Sequence, residues 1–168
     1  LFWFDLLEDI VPNHIVSTDV PEEVEDRAII VQPLEMFAIE CVARGYLTGS
    51  GWSEYKENSA VCGNKLPAGL LDGSELPASI FTPATKADVG DHDINIDFDS
   101  ASKIVGAKDA AELRDLTLKL YDTAADFAKS RGILLADTKF EFGRNAVGAI
   151  VLGDEALTPD SSRFWDQS

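Results

Sequence analysis

The alternation of apolar and polar residues between Gly132 and Trp165 predicts a β-hairpin. A strand from Ile133 to Gly143 places one set of residues on each face: Leu134, Ala136, Thr138, Phe140 and Phe142 on one, and Asp137, Lys139 and Glu141 on the other. The segment 144–148 contains Asn and Gly and suits a hairpin loop of several residues. A second apolar run then ends just before Asp154, which we therefore expect near the charged face.

The charged face of this hairpin has two interpretations. Carboxylates beside a lysine can hold a divalent cation and a polyphosphate, because hard oxygen ligands suit Mg²⁺ and an ammonium offsets phosphate charge. Antiparallel sheets also often have one solvated face, where acids and lysines pair across strands. Spacing alone favours the solvated face.

The segment Asp109–Ser130 predicts the longest helix of the chain. Apolar and small residues recur in it at helical spacing: Leu113, Leu116, Leu120, Thr123, Ala124, Phe127 and Ala128. Arg131 and Gly132 follow as a helix end. We assign this stripe to the core, and the helix leads directly into the hairpin.

Two apolar, β-branched runs, Ala28–Val31 and Phe37–Ala43, predict two strands with a short crossing segment between them. Leu34 and Met36 lie in that crossing segment. Taken alone, the segment is a buried loop in which Met36 fills a gap.

Arg44 closes the second of these strands and is followed by a glycine-rich turn, residues 45–51, and a predicted helix, Trp52–Glu57. Glycines let backbone N–H groups face an anion, a helix N-terminus adds positive potential, and an arginine can bind an anion through two bonds. The lysine of a Walker P-loop is missing. A phosphate site and a ligand-free turn explain this pattern equally well.

Residues 61–83 favour irregular structure, since they are rich in Gly, Asn and Pro and have only short apolar anchors after Leu76. Residues 81–93 then combine Lys86 with three aspartates around a glycine. The Asp-His-Asp sequence at 91–93 suggests a metal cluster. Adjacent residues rarely all bind one ion, so an exposed turn with capping acids is the better interpretation.

The composition narrows the classes of partner. The 168 residues are 45% hydrophobic, which suffices for one well-buried domain. The 30 acidic and 14 basic residues give a net charge of -16, which argues against nucleic acid or an anionic membrane as a partner. Cys41 and Cys62 are expected as reduced thiols in a cytoplasmic setting. No apolar run has the length of a membrane span, and no signal-peptide pattern is present.

Four blocks of the sequence resemble one enzyme family. They are ADTKFEFG, GDEALTPDSSRFW, VARGYLTGSGW and FTPATKADVGDHD. Their order and specificity make the chain similar, over essentially its whole length, to SAICAR synthetase (phosphoribosylaminoimidazole-succinocarboxamide synthase) of purine biosynthesis. The resemblance implies an ATP-dependent carbon–nitrogen ligase that uses ATP and Mg²⁺. The implied substrates are an imidazole ribonucleotide and L-aspartate. A homo-oligomer is compatible with the sequence.

The resemblance also implies a fold: α+β, with the two-lobe, kinase-like or ATP-grasp-like arrangement of a nucleotide-binding enzyme. Residues 1–36 would form the end of the smaller ATP-binding lobe and the hinge, and residues 37–168 the larger lobe with the substrate and metal sites. The chain starts inside an apolar segment without methionine and reads as the middle of a longer sequence. In the family a smaller lobe with a glycine-rich segment precedes this point and a helical segment follows it, and the sequence leaves open whether a longer parent chain has them.

The family motifs assign roles to ten side chains. Glu141 and Asp154 would hold Mg²⁺, and Lys139 and Asp154 would act in catalysis. Substrate-binding roles fall on Arg44, Ser50, Lys86, Asp93 and Arg163. Leu34 and Met36 would flank adenine in the segment that resembles a kinase hinge. Here Gln32, Pro33 and Glu35 depart from the lysines common in the family, which leaves the adenine contacts open.

Two rival functions are compatible with the same residues. One is another small-molecule phosphotransferase of the same fold. The other is a non-catalytic nucleotide-binding module, which is expected only if the chain is no longer than these 168 residues. Substrate, aspartate and ATP together separate the three, which give amide with ADP, ADP without amide, and binding without turnover.

Overall fold

The computed structural model describes residues 1–86 and 94–168, which form a mixed α/β fold. Its α-helices are α1 (Phe2–Leu7), α2 (Gly49–Asn58), α3 (Phe98–Val105) and α4 (Ala107–Lys129), and a 3₁₀ turn covers Glu22–Val24. Its strands are β1 (Ile15–Ser17), β2 (Ile30–Val31), β3 (Glu35–Met36), β4 (Ile39–Tyr46), β5 (Ala60–Val61), β6 (Asn64–Lys65), β7 (Glu75–Phe81), β8 (Ala84–Thr85), β9 (Ile133–Arg144), β10 (Ile150–Gly153) and β11 (Ser162–Asp166).

Strand β9 organises the main sheet. The order along the sheet is β10-β9-β4-β7, while β11 and β3 also pair with β9 and β8 pairs with β4. All these pairings are antiparallel. With 12 residues, β9 is long enough to have β11 beside its first half and β3 and β10 beside its second half. Its two ends therefore have different neighbours.

Helix α4 packs on the sheet through four residues of the predicted stripe and three others, whereas Leu116 and Phe127 are half-buried and Thr123, predicted in the core, is exposed. Its buried residues are Ala110, Leu113, Thr117, Leu120, Tyr121, Ala124 and Ala128. Tyr121 also donates a hydrogen bond from its hydroxyl to the Leu135 carbonyl of β9 at 2.6 Å. The predicted helix is confirmed, and it packs against β9.

The predicted hairpin is also confirmed. Strands β9 and β10 pair in a register that runs from Ile150 opposite Arg144 to Gly153 opposite Glu141. In the loop, Asn145 Oδ1 accepts hydrogen bonds from the backbone N–H groups of residues 147 and 149. Because Gly153 lies opposite Glu141, Asp154 follows at the charged face, as expected.

Two expectations about secondary structure are wrong. Residues 76–83 were expected to be irregular, but β7 covers most of them. Strand β7 lies at one end of the order β10-β9-β4-β7 and pairs with β4, and an edge strand tolerates a proline such as Pro77. Helix α2 begins at Gly49 rather than Trp52, so the glycine-rich segment contributes the first helical turn instead of a loop.

The crossing segment is not the buried loop that the sequence taken alone suggests, because Glu35 and Met36 form β3 and both are exposed. Two further expectations concern cysteines and membrane spans. Cys41 and Cys62 are both buried free thiols. Within residues 1–86 and 94–168, no helix is long and apolar enough to cross a membrane.

Candidate functional site

Two arginines converge on one buried carboxylate in the main sheet. Asp137 on β9 lies opposite Arg44 of β4 on one side and Arg163 of β11 on the other. Arg44 Nη1 donates to Asp137 Oδ2 at 2.6 Å, and Arg163 Nη1 donates to the same oxygen. Asp137 and Arg44 are each only 4% exposed. One carboxylate faces two guanidinium groups, so positive charge is in excess here.

Two further hydrogen bonds hold the side chain of Arg44 in place. Its Nε donates to Thr82 Oγ1 at 3.0 Å, and its Nη2 donates to Ser50 Oγ at 3.1 Å. Burial lowers the pKa of the Arg44 guanidinium, and Asp137 opposes that shift. An arginine nevertheless stays protonated in proteins, so Arg44 is a fixed, oriented cation.

The start of helix α2 lies directly against the two arginines. Gly49 has φ +57°, and a Cβ there would come within 2.7 Å of Arg163 Nη2. Ser50 follows in the first helical turn and accepts from Arg44. The first turn of a helix has backbone N–H groups without intrahelical partners, which favours anions. The helix start, Ser50 and the arginines thus form one electropositive corner.

This corner opens into a cavity of about 400 Å³, which we call the anion pocket. Its lining residues are Val42, Arg44, Ser50, Ala84, Asn95, Asp137, Thr138, Lys139, Pro159, Asp160, Ser161, Ser162 and Arg163. The three substrate-binding residues Arg44, Ser50 and Arg163, predicted from distant parts of the sequence, therefore come together in one cavity.

Lys139 lies two residues beyond Asp137 on β9 and also lines the anion pocket. Its Nζ is 3.5 Å from Oε2 of Glu40, a buried acid on β4. Its side chain stays about one-third exposed. Along β9, Lys139 is therefore placed between the arginines at Asp137 and the acid at Glu141.

A second cavity, about 340 Å³, lies at the other end of the charged face, and we call it the hinge pocket. It is lined by His14, Val31, Gln32, Pro33, Leu34, Met36, Glu141 and Asp154. Leu34 and Met36 reach it because they cross close to the hairpin: a Cβ on Gly143 would lie 2.7 Å from Leu34 Cβ and 3.0 Å from Met36 Sδ. Both residues predicted to flank adenine thus share a cavity with both acids predicted to bind metal.

The two acids of the hinge pocket differ from Asp137. Glu141 accepts a hydrogen bond from Lys86 Nζ, and its side chain is 17% exposed. Asp154 is exposed, with φ +51°. Among the described residues no group of three His, Cys, Asp or Glu could hold a metal. Mg²⁺ commonly takes only one or two protein carboxylates with substrate phosphates and water, so this pair fits it.

The structure also places the remaining predicted residues. Lys86 lies against Glu141 rather than among the residues that line the anion pocket. Asp93 lies outside the described residues. His14, which lines the hinge pocket, is buried, and burial lowers the pKa of its imidazole.

Sequence reasoning missed three polar residues of the site. Asp137 was assigned only to a charged face, and Thr82 and Asn95 were not singled out. For Asp137 a signal was present, because an acid between apolar residues of a long strand must find a partner when both sides of the strand are covered. The partners of Thr82 and Asn95 are far away in sequence, so no local pattern marks them.

Comparison with known proteins agrees with these features. A family model described as SAICAR synthetase matches residues 1–168. Phosphoribosylaminoimidazole-succinocarboxamide synthase of Saccharopolyspora erythraea is 58% identical over 168 residues, covering 98% of this chain and 57% of the relative. The Streptomyces coelicolor protein of the same name is 57% identical over 169 residues, covering 98% of this chain and 56% of the relative.

Solved structures give the same result. A SAICAR synthase from Saccharomyces cerevisiae complexed with SAICAR has a TM-score of 0.88 and 39% identity, covering 99% of this chain and 60% of that one. A SAICAR synthetase in complex with ADP has a TM-score of 0.80 and 29% identity, covering 99% of this chain and 64% of that one.

The described residues thus form the mixed α/β fold of SAICAR synthase structures. The chain belongs to the SAICAR synthetase family, which confirms the resemblance seen in the sequence. It spans about 57% of the length of the first of these curated relatives.

Proposed function

We propose that the protein is an ATP-dependent ligase of purine biosynthesis. It joins L-aspartate to the carboxylate of 5-amino-1-(5-phosphoribosyl)imidazole-4-carboxylate and releases SAICAR, ADP and phosphate. The observation that carries this proposal is the arrangement along β9: an anion pocket around Asp137 and a pair of acids around Glu141. Asp137 and Glu141 are four positions apart on the strand, which corresponds to about 13 Å. The names of the relatives and the bound SAICAR and ADP of two similar structures support the same reaction.

The anion pocket is the proposed site of the nucleotide 5′-phosphate. Arg44 and Arg163 supply the fixed positive charge, and Ser50 adds a hydroxyl at the start of α2. Charge-assisted bonds from preoriented guanidinium groups bind phosphate strongly because little side-chain freedom is lost on binding. Lys86 and Asp93 are proposed as further substrate contacts, as the family motifs imply.

The hinge pocket is the proposed site of ATP. Leu34 and Met36 would flank adenine, and Glu141 and Asp154 would hold Mg²⁺. When bound there, Mg²⁺ supplies neutralisation of charge on the ATP phosphates. On this proposal residues 1–36 belong to the smaller lobe and hinge and residues 37–168 to the larger lobe of a kinase-like, two-lobe enzyme. The short path of residues 34–36 along the hairpin supports a hinge.

The chemistry proceeds in two steps. The imidazole carboxylate attacks the γ-phosphorus of ATP, which gives an acyl phosphate and ADP. The aspartate amine then attacks the acyl carbon and expels phosphate. Lys139 lies between the two pockets, where its ammonium can stabilise the negative charge that develops on the transferring group. Binding both substrates in fixed positions supplies much of the remaining acceleration.

The deciding experiment combines the imidazole ribonucleotide, L-aspartate, ATP and Mg²⁺ and measures SAICAR and ADP. Equal amounts of both products are expected, with no SAICAR when aspartate is omitted. ADP without amide would instead indicate a phosphotransferase, and nucleotide binding without either product would indicate a binding module.

The proposed location is the cytoplasm, which the two free thiols support.

A further inference from the structure

Asn95 enters the anion pocket from a fixed piece of backbone. It forms a β-bridge with Ala84. On either side, the Thr85 N–H donates to the Ile94 carbonyl at 3.0 Å and the Ile96 N–H donates to the Pro83 carbonyl at 2.9 Å. The side chain therefore starts from a set position in the same cavity as Arg44 and Arg163.

Glu54 determines which end of the Asn95 amide faces the pocket. Glu54 Oε2 accepts from Asn95 Nδ2 at 3.0 Å, and its Oε1 accepts from the Cys62 N–H at 2.8 Å. A carboxylate can only accept, so a flipped amide would place two oxygens against each other. One of the two amide N–H groups is thereby bonded to Glu54, which fixes the amide nitrogen on the Glu54 side and Oδ1 on the other side. No described residue donates to Asn95 Oδ1 in return.

We propose that Asn95 contacts the substrate through Oδ1 as a hydrogen-bond acceptor, and that Glu54 is the positioning residue that turns this oxygen toward the pocket. The ligand is a phosphorylated sugar or nucleotide whose phosphate binds Arg44 and Arg163 and whose sugar hydroxyl donates to Asn95 Oδ1. This identification of the donor rests on the proposed function, because a sugar lies next to the phosphate in the ribonucleotide. The pocket then distinguishes a sugar phosphate from inorganic phosphate.

The arrangement makes an unusual prediction for Glu54→Gln. The Cys62 N–H still needs an acceptor, so the new amide turns its oxygen to Cys62 and its nitrogen to Asn95. Asn95 must then turn its own oxygen to residue 54 and its nitrogen to the pocket. One isosteric change at a residue that does not itself line the pocket thus replaces the acceptor in the pocket by a donor. Adding Asn95→Asp restores an acceptor there, since a carboxylate accepts through both oxygens.

The test measures dissociation constants for ribose 5-phosphate and for inorganic phosphate by calorimetry, and uses their ratio. The ratio cancels any effect of the substitutions on phosphate binding itself. Asn95→Leu and Glu54→Gln should each weaken ribose 5-phosphate about five- to tenfold and leave inorganic phosphate within about twofold. The double variant Glu54→Gln/Asn95→Asp should recover most of the unaltered ratio. Circular dichroism and thermal melting verify folding, and Asn95→Ala, which also removes the acceptor, serves if Asn95→Leu does not fold.

An unchanged ratio in Asn95→Leu, or an unaltered protein with no preference for ribose 5-phosphate, would overturn the contact. A normal ratio in Glu54→Gln would overturn the positioning role. Binding of ribose 5-phosphate does not need turnover, so the outcome is separate from that of the ligase assay. The expected ratios without SAICAR formation would refute the proposed reaction and leave this inference standing.

Discussion

Asp137 and Glu141 lie on the same face of one strand, yet their surroundings differ. Asp137 is 4% exposed and accepts bonds from two guanidinium groups supplied by β4 and β11. Among the described residues, Glu141 pairs with Lys86, and it shares its cavity with the exposed acid Asp154. The anion pocket thus has positive charge in excess, whereas the hinge pocket has acids that a bound cation would complete.

The difference shows that the neighbours across the sheet, rather than the residue type, determine what a carboxylate can do. A buried acid paired with a buried arginine is committed to it, because breaking that pair leaves a desolvated charge. A partly exposed acid with one lysine can exchange that lysine for a metal ion at small cost, since such pairs are worth about 0 to 1 kcal/mol. The following changes test this contrast.

The largest effect is expected from Asp154→Asn, which should abolish ligase turnover. One charge on the proposed metal site is lost at almost constant volume, and Asn tolerates the positive φ of this position as Asp does. The free energy of unfolding should change by less than about 1 kcal/mol. Mg²⁺-dependent turnover at the unaltered rate would contradict the metal role, and denaturant unfolding shows whether the fold is intact.

The next effect is on stability, and it compares the same chemical change at both acids. Asp137→Asn leaves Arg44 buried without its anion and should lower the free energy of unfolding by about 3 to 5 kcal/mol. Glu141→Gln should lower it by no more than about 1 kcal/mol while removing activity. Denaturant unfolding of the two variants measures both values. Equal losses would show that the two acids are equivalent and that the contrast is mistaken.

Much of this fold follows from the sequence because it depends on local periodicity. The hairpin around Asn145 and helix α4 were predictable, since alternation and helical spacing are visible within one segment. Strand β7 was missed because its partner β4 lies some 30 residues away in sequence, and Pro77 and the glycines before it resemble a loop.

In the site, too, single residues could be predicted from local motifs, whereas their partners from distant segments could not. Arg44, Ser50 and Arg163 could be named from family motifs, and they do share a cavity. The motifs did not show that Asp137 would bind both arginines, because that depends on the strand register of β4 and β11 with β9. Lys86 was assigned to substrate, but its bond to Glu141 involves a residue 55 positions later, which no local pattern reveals.

A smaller effect is expected from Arg163→Ala, because Arg163 is 48% exposed while Arg44 is buried. The KM for the imidazole ribonucleotide should rise roughly 10- to 100-fold, as one charge-assisted bond contributes about 1.5 to 3 kcal/mol. The KM for ATP should stay within about twofold. Arg131→Ala is the matched control, since Arg131 is exposed and lines neither pocket. Equal increases in the KM for the ribonucleotide and the KM for ATP would show that Arg163 does not specifically bind the ribonucleotide phosphate.

The smallest effect concerns Lys86, whose ammonium forms an ion pair with the Glu141 carboxylate. If the ion pair competes with the metal, Lys86→Met should tighten Mg²⁺ binding to the nucleotide-free protein about two- to fivefold, because an exposed pair is worth less than about 1 kcal/mol. Removing any positive charge also favours a cation, so Lys65→Met, which deletes an exposed lysine on β6, provides the matched control. Calorimetric titration with Mg²⁺ measures the dissociation constant of both variants.

A gain in Mg²⁺ affinity for Lys86→Met that is no larger than the gain for Lys65→Met would show that Lys86 does not compete with the metal. A raised KM for the ribonucleotide or aspartate in Lys86→Met would in addition support the substrate role that the sequence predicts.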